Sequence, residues 1–310
     1  MNHSTQTKGI MYTACSYLLW GLLPLYWKVL EQTAALDILA HRIIWSFVFM
    51  CGMLLFLRQW KDGITAFRAL LGNRKALVTL IFSAVLITAN WYVYIWAVNH
   101  GYILEASLGY YINPLVSILL GIVFLKEKLS RMQAVAVIIA AAGVLISAFQ
   151  YGSVPYIALT LAFSFGLYGL AKKRTQLSSA VGLTLETMVI APAALIYLLF
   201  SSVSGQTHAA SADIGTMILL FLAGVLTAIP LLLFAEGAKK LPLYQVGILQ
   251  YIAPTITLFL GIFVYHEPFS NEKAFTFSCI WAALVLFTVS QLKWKKQSKV
   301  FLKRKKSYHS

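Results

Sequence analysis

YINPLVSILLGIVFLKEKLS, residues 111–130, returns as YIAPTITLFLGIFVYHEPFS, residues 251–270, so the chain contains one segment twice. At an offset of 140 the copies share Tyr111/Tyr251, Ile112/Ile252, Pro114/Pro254, Leu120/Leu260, Gly121/Gly261, Ile122/Ile262, Glu127/Glu267 and Ser130/Ser270. Chance identity between apolar segments falls mostly on Leu, Ile and Val. Pro, Gly, Glu and Ser matching in register therefore mark a duplication. Lys126, Lys128 and Arg131 become His266, Pro268 and Asn271, so the acid is kept while the bases are dropped.

Composition says where the repeat lives. Sixty per cent of residues are hydrophobic, 11% are charged and mean hydropathy is +0.77, outside the range of a soluble globular chain. The bases behind the net charge of +15 sit between apolar runs and in the tail, with no basic domain to hold a nucleic-acid groove. Cys15, Cys51 and Cys279 all lie inside apolar runs, which argues against a disulfide framework or a metal cluster. The first run has the length of a retained span and no small-residue cleavage site.

Ten apolar runs are long enough to cross a hydrocarbon core of about 30 Å. They cover about 9–28, 36–57, 75–98, 103–125, 131–149, 154–172, 180–201, 214–238, 243–265 and 271–292. Lys and Arg assign the sides, because loops rich in them stay cytoplasmic. With both termini cytoplasmic, the inside holds Lys8, the loop from Arg58 to Lys75, the Lys126–Arg131 turn, Lys172 to Arg174, Lys239, Lys240 and the basic tail. The outside keeps Lys28 and Lys273, and the loop near 201–213 has no base. Five spans per half force the second copy to enter the membrane upside down. The expected architecture is therefore an all-α polytopic membrane protein of ten transmembrane helices in two inverted repeats, 1–150 and 151–292, followed by a basic cytoplasmic tail at 293–310. Trp20-Gly21-Leu22 matching Phe165-Gly166-Leu167 carries the register into the first span of each half. Inverted repeats of this kind build alternating-access transporters.

NWYVYIWAVNHG at 90–101, LEASLGYYINPLVSILLG at 104–121, FLKEKLS ending at Ser130, PLLLFAEGAKKLP and LQYIAPT resemble the EamA-type transporters of the drug/metabolite superfamily, and among them the RarD group. The resemblance covers nearly the whole chain. It implies a multi-pass carrier of the bacterial cytoplasmic membrane, an exporter of a small metabolite or drug-like solute, driven by an ion gradient and lacking an ATPase. It supplies no substrate.

Matching proline interruptions in two halves are the best sequence pointer to a transporter's site. Pro114 and Pro254 each remove a helical hydrogen bond, and Tyr110, Tyr111, Asn113, Gln250 and Tyr251 lie within a turn of them. Hydrogen bonding between helices is the competing role for those polar side chains. Arg42 and Glu186 read as the only charges set well inside spans, where a charge costs about 3 kcal/mol or more. They align at an offset of 144 and fall near opposite sides of the membrane, so they are expected not to pair. Arg42 suits a carboxylate, and Glu186 suits a coupling proton. His41, Asn90, Trp91 and Tyr94 are candidates to line the same cavity, for an aromatic or amphipathic solute. Glu105 and Glu236, near span ends, read as interfacial, and Ala136, Ala140 and Gly143 as a close-packing face.

The reading is thus a secondary active transporter with a small-molecule substrate in a lipid bilayer, with no nucleic acid, cofactor or metal; a homodimer is left open. A channel or lipid scramblase is the alternative, and then a membrane-embedded enzyme. No HExxH, paired-Asp or Gly-rich phosphate motif favours an enzyme.

Overall fold

A bilayer leaves no water to satisfy backbone groups, so a chain this apolar must close its hydrogen bonds inside helices. The computed structural model, which describes residues 3–100, 102–150, 154–204, 213–266 and 274–290, folds them into helices joined by short connections, with no strand among them. In order, the helices are α1 (His3–Val29), α2 (Ala35–Phe56), α3 (Trp60–Leu71), α4 (Arg74–Asn99), α5 (Ile103–Leu125), α6 (Arg131–Gln150), α7 (Tyr156–Arg174), α8 (Ser179–Val203), α9 (Ile214–Lys240), α10 (Leu243–Gln250), α11 (Ile252–Phe263) and α12 (Ala274–Ser290). Seven segments are long and apolar enough to cross a membrane: α2, α4, α5, α6, α8, α9 and the pair α10–α11. The basic tail, most of the loop around 201–213 and the Glu267 copy of the turn lie outside the described residues.

The loop expected from Arg58 to Lys75 contains a helix instead. α3 is 12 residues long, too short to span, and its Trp60, Ile64, Phe67 and Leu71 are exposed. Their i, i+4, i+7, i+11 spacing gathers them on one face, the pattern of a helix lying along a membrane surface.

Small residues set how closely the long helices approach, as lipid gives no hydrophobic drive between them. At Gly224 of α9 a Cβ would lie 2.4 Å from Trp45 Cβ and 2.6 Å from the Ser46 nitrogen of α2. The Ser46 hydroxyl donates to the Gly224 carbonyl at 2.8 Å. Gly237, lower on α9, meets Thr13 of α1 as tightly. Ala136 and Ala140 of α6 are fully buried in a cluster with Ile280 and Ala283 of α12, and Gly143 meets Cys279, so the expected close-packing face is present. Elsewhere large side chains such as Phe56, Phe149, Phe200 and Val203 face outward, as a lipid-facing surface requires.

The duplication survives in the backbone. Lys126 and His266, matched at the offset of 140, both have φ of 53°. Lys126 ends α5 in this left-handed conformation and turns the chain back, so that the Glu127 nitrogen donates to the Gly121 carbonyl.

Gly224→Ala is expected to destabilise the protein by about 1–3 kcal/mol, because its methyl group would meet backbone rather than a flexible side chain. Gly52→Ala, with nothing within 4 Å, is the control and should be neutral or slightly stabilising. Thermal unfolding in detergent reads both; equal shifts would show that the α2–α9 crossing is loose.

Candidate substrate cavity

A cavity of about 280 Å³ opens among α1, α2, α4, α5, α7, α10 and α11. Of the residues expected to form a site, Arg42, Asn90, Trp91, Tyr94, Tyr110, Tyr111, Asn113, Gln250 and Pro254 line it. His41, Tyr251, Pro114 and Glu186 do not. His41 is half-buried elsewhere on α2. Tyr251 is fully buried behind the wall, where its hydroxyl donates to the Tyr111 carbonyl at 3.3 Å.

The prolines differ in what they do. α5 runs continuously through Pro114, whereas the helix of the second half breaks at Tyr251 and Pro254 falls in the first turn of α11. A proline strips the helical donor from the carbonyl four residues earlier. Those residues are Tyr110 and Gln250, and both line the cavity.

Arg42 lies against two indoles. Its guanidinium carbon lies 4.7 Å from the Trp27 ring and 4.9 Å from the Trp91 ring, and Nε donates to the Thr227 hydroxyl of α9 at 2.9 Å. Tyr94 and Tyr110 pack edge to face beside it, with centroids 5.6 Å apart. Asn90 uses its amide nitrogen on the Leu161 carbonyl at 2.8 Å and the Ser164 hydroxyl at 2.9 Å, which ties α4 to α7. Asn113 Oδ1 and Tyr17 Oη are buried with no hydrogen-bond partner.

Below the cavity the rings of Tyr17, Trp20, Phe165, Phe234 and Tyr168 form a plug, each within 6.2 Å of another. Trp20 and Phe165 touch edge to face at 5.7 Å. Their matched place in the repeat was the signal that could have found them.

Glu186 sits in a second, drier place. Its carboxylate accepts from Lys172 Nζ at 2.5 Å, the Ser83 hydroxyl at 2.7 Å and the Tyr168 hydroxyl at 3.4 Å. Lys172 is 2% exposed. Three charged residues nearer the helix ends, Lys172, Asp37 and Glu105, are buried as well. Lys172 looked like part of a cytoplasmic cluster, and Asp37, 1% exposed, accepts from the Tyr197 hydroxyl at 3.0 Å. Arg42 and Glu186 do not pair, as expected. Glu105, near a span end as expected, is buried and caps α7 by accepting from the Ile157 nitrogen at 2.7 Å, so it has a structural task there.

At the end of the bundle nearest the plug, Glu127 accepts from the Leu243 and Tyr244 nitrogens of α10 at 2.7 and 2.9 Å. A carboxylate on a helix N-terminus satisfies orphan donors and the helix dipole together. Lys173 donates to the Leu241 carbonyl, Lys239 to the Leu177 carbonyl and Arg174 to the Phe124 carbonyl, which laces α5, α7, α9 and α10 together.

The EamA-like transporter family matches this chain over residues 7–149 and again over 153–289. The chain belongs to the EamA family. Within it this EamA protein is RarD-like: it is 42% identical over 292 residues to the protein RarD of Salmonella typhi, covering 94% of this chain and 98% of that one. It is 71% identical over 300 residues to YojE of Bacillus subtilis, a protein named as a transporter, covering 96% and 99%. A crystal structure 17% identical in sequence superposes with a TM-score of 0.71 over 93% of this EamA chain and 99% of its own, a likeness of fold.

Lys172→Met or Glu186→Leu alone is expected to cost about 3–5 kcal/mol, because each strands a buried charge, while the double variant recovers most of the loss. Unfolding of the three variants in detergent forms the cycle. Additive losses would mean that the pair is not coupled.

Proposed function

We propose that this multi-pass membrane protein is a secondary transporter that exports a small solute by alternating access between two inverted five-helix halves. The observation that carries the reading is a cavity walled by both halves at repeat-related positions. Gly21 of α1 packs on Ile256, while its counterpart Gly166 of α7 packs on Val116, and Val116 and Ile256 are themselves 140 apart. Arg42 of α2 reaches α9, and Glu186 of α8 reaches α4. Exchanging α1 with α7, α2 with α8, α4 with α9 and α5 with α10–α11 maps each of these contacts onto its partner's helices. The double match to one family supports the same division, at 1–150 and 151–292.

Ten crossings with both termini cytoplasmic put the cavity in the outer half of the membrane. The plug and the Glu127 latch then close its cytoplasmic side, which is an outward-facing state. The solute contacts Arg42, Trp91, Tyr94, Tyr110, Tyr111, Asn113 and Gln250, and the two proline positions supply the hinges. Coupling falls to Glu186, now with Lys172 as its partner. Protonating that carboxylate removes its attraction for the ammonium and loosens α7 from α8, next to the plug.

Two measurements test the proposal. On a cysteine-free background, single cysteines at Lys128 and Ser204, both exposed, should be labelled from opposite sides of the membrane. Labelling of both from outside would remove the inverted topology. In proteoliposomes, flux should saturate with solute and stop when the proton gradient is collapsed in the absence of a sodium gradient. Unsaturable flux would mean a channel or scramblase.

A further inference from the structure

We propose that the cavity takes a solute of net charge −1, a carboxylate set against the terminal N–H groups of Arg42 on a flat apolar body. The proposal rests on the transporter reading for the solute's passage, and on the cavity alone for its chemistry.

Charge comes first. Among the described lining residues Arg42 is the single ionised group; none is Asp, Glu, Lys or His. The ion pairs among the described residues are Lys28–Glu31, Lys172–Glu186 and Lys240–Glu236, so Arg42 has no acidic partner. A guanidinium stays charged at any working pH, and a charge held away from bulk water calls for an opposite one. One cation answers one anion. A dianion would bring a second charge with nothing to meet it, and a zwitterion would bring an ammonium into a wall that already carries a cation and offers no acid.

Geometry narrows the anion. Trp27 and Trp91 both lie against the guanidinium, with ring centroids 4.7 and 4.9 Å from its carbon, and Nε has spent its hydrogen bond on Thr227, which leaves the terminal N–H groups. The terminal N–H groups form the planar fork that a carboxylate matches with two parallel bonds. Lysine would keep the charge here but not the fork.

The rest of the wall describes the body. Trp20, Trp27, Trp91, Tyr94, Tyr110 and Phe165 present rings, which favour a flat apolar group. Asn113 Oδ1 and the Tyr17 hydroxyl are unpartnered but sealed within the wall, so they leave the apolar character of the space unchanged.

The test uses four probes on one skeleton and the purified full-length protein in lipid nanodiscs, with binding followed by tryptophan fluorescence and calorimetry. They are 3-(4-hydroxyphenyl)propionate, its neutral amide, the zwitterion tyrosine and the cation tyramine. The acid is expected to bind at least about tenfold tighter than each of the others, the scale of a hydrogen-bonded charge pair. Arg42→Gln should bind acid and amide alike, while Arg42→Lys, which keeps the charge, should retain a preference for the acid that is smaller than the wild type's. If Arg42→Gln does not fold, the wild-type ranking and Arg42→Lys decide. The proposal is overturned if the amide or tyrosine binds as tightly as the acid, if Arg42→Gln keeps the full preference, or if the acid shows no saturable binding at millimolar concentration. Failure of the transporter reading looks different: the acid binds with the expected ranking yet no probe crosses a proteoliposome membrane. Flux of the amide but not of the acid would keep the carrier and reject the anion.

Discussion

The crossing of α9 over α2 and α1 is the contact on which the rest depends. It exists because Gly224 and Gly237 carry no side chain where Trp45, Ser46 and Thr13 pass. Close approach brings the Ser46 hydroxyl onto the Gly224 carbonyl and, one turn further along α9, brings Thr227 to Arg42. The arginine is thereby held at the cavity wall against two indoles. In lipid no hydrophobic force would pull these helices together, so shape and hydrogen bonds must do so.

Charge is handled in two opposite ways in one bundle. Glu186 is answered inside the protein by Lys172, Ser83 and Tyr168, and it is sealed from water. Arg42 is answered by aromatic faces and one hydroxyl, and it borders open space. The first arrangement is neutral at rest and holds helices together. The second leaves a net positive charge facing a space that a solute can enter. An aromatic plug lies between them, and Tyr168 belongs to both, stacking on Phe234 while its hydroxyl touches Glu186.

Glu127, the first copy of the duplicated acid, has a structural task. Its carboxylate caps the start of α10, and a left-handed Lys126 aims it there. The acid was visible in the sequence, but this task of Glu127 was not. Capping joins residues 116 and 117 positions apart, and no local pattern announces it.

By itself the sequence determined that the chain is a multi-pass helical membrane protein of the EamA family. Hydropathy over spans of this length has few other physical solutions, and the proline positions, Arg42 and the aromatic stretch at Asn90 to Tyr94 pointed to the cavity before it was seen. Tertiary structure alone decided which polar residues face that cavity and which are spent elsewhere. Tyr251 and Tyr111 are equivalent in sequence, yet one is buried behind the wall and the other forms it. Lys172 reads as one of three cytoplasmic bases, yet it is folded inward as the partner of Glu186. A side chain's role in a helix bundle follows from the rotation of its helix and from what the next helix presents there, and both are set by contacts between residues far apart in the chain.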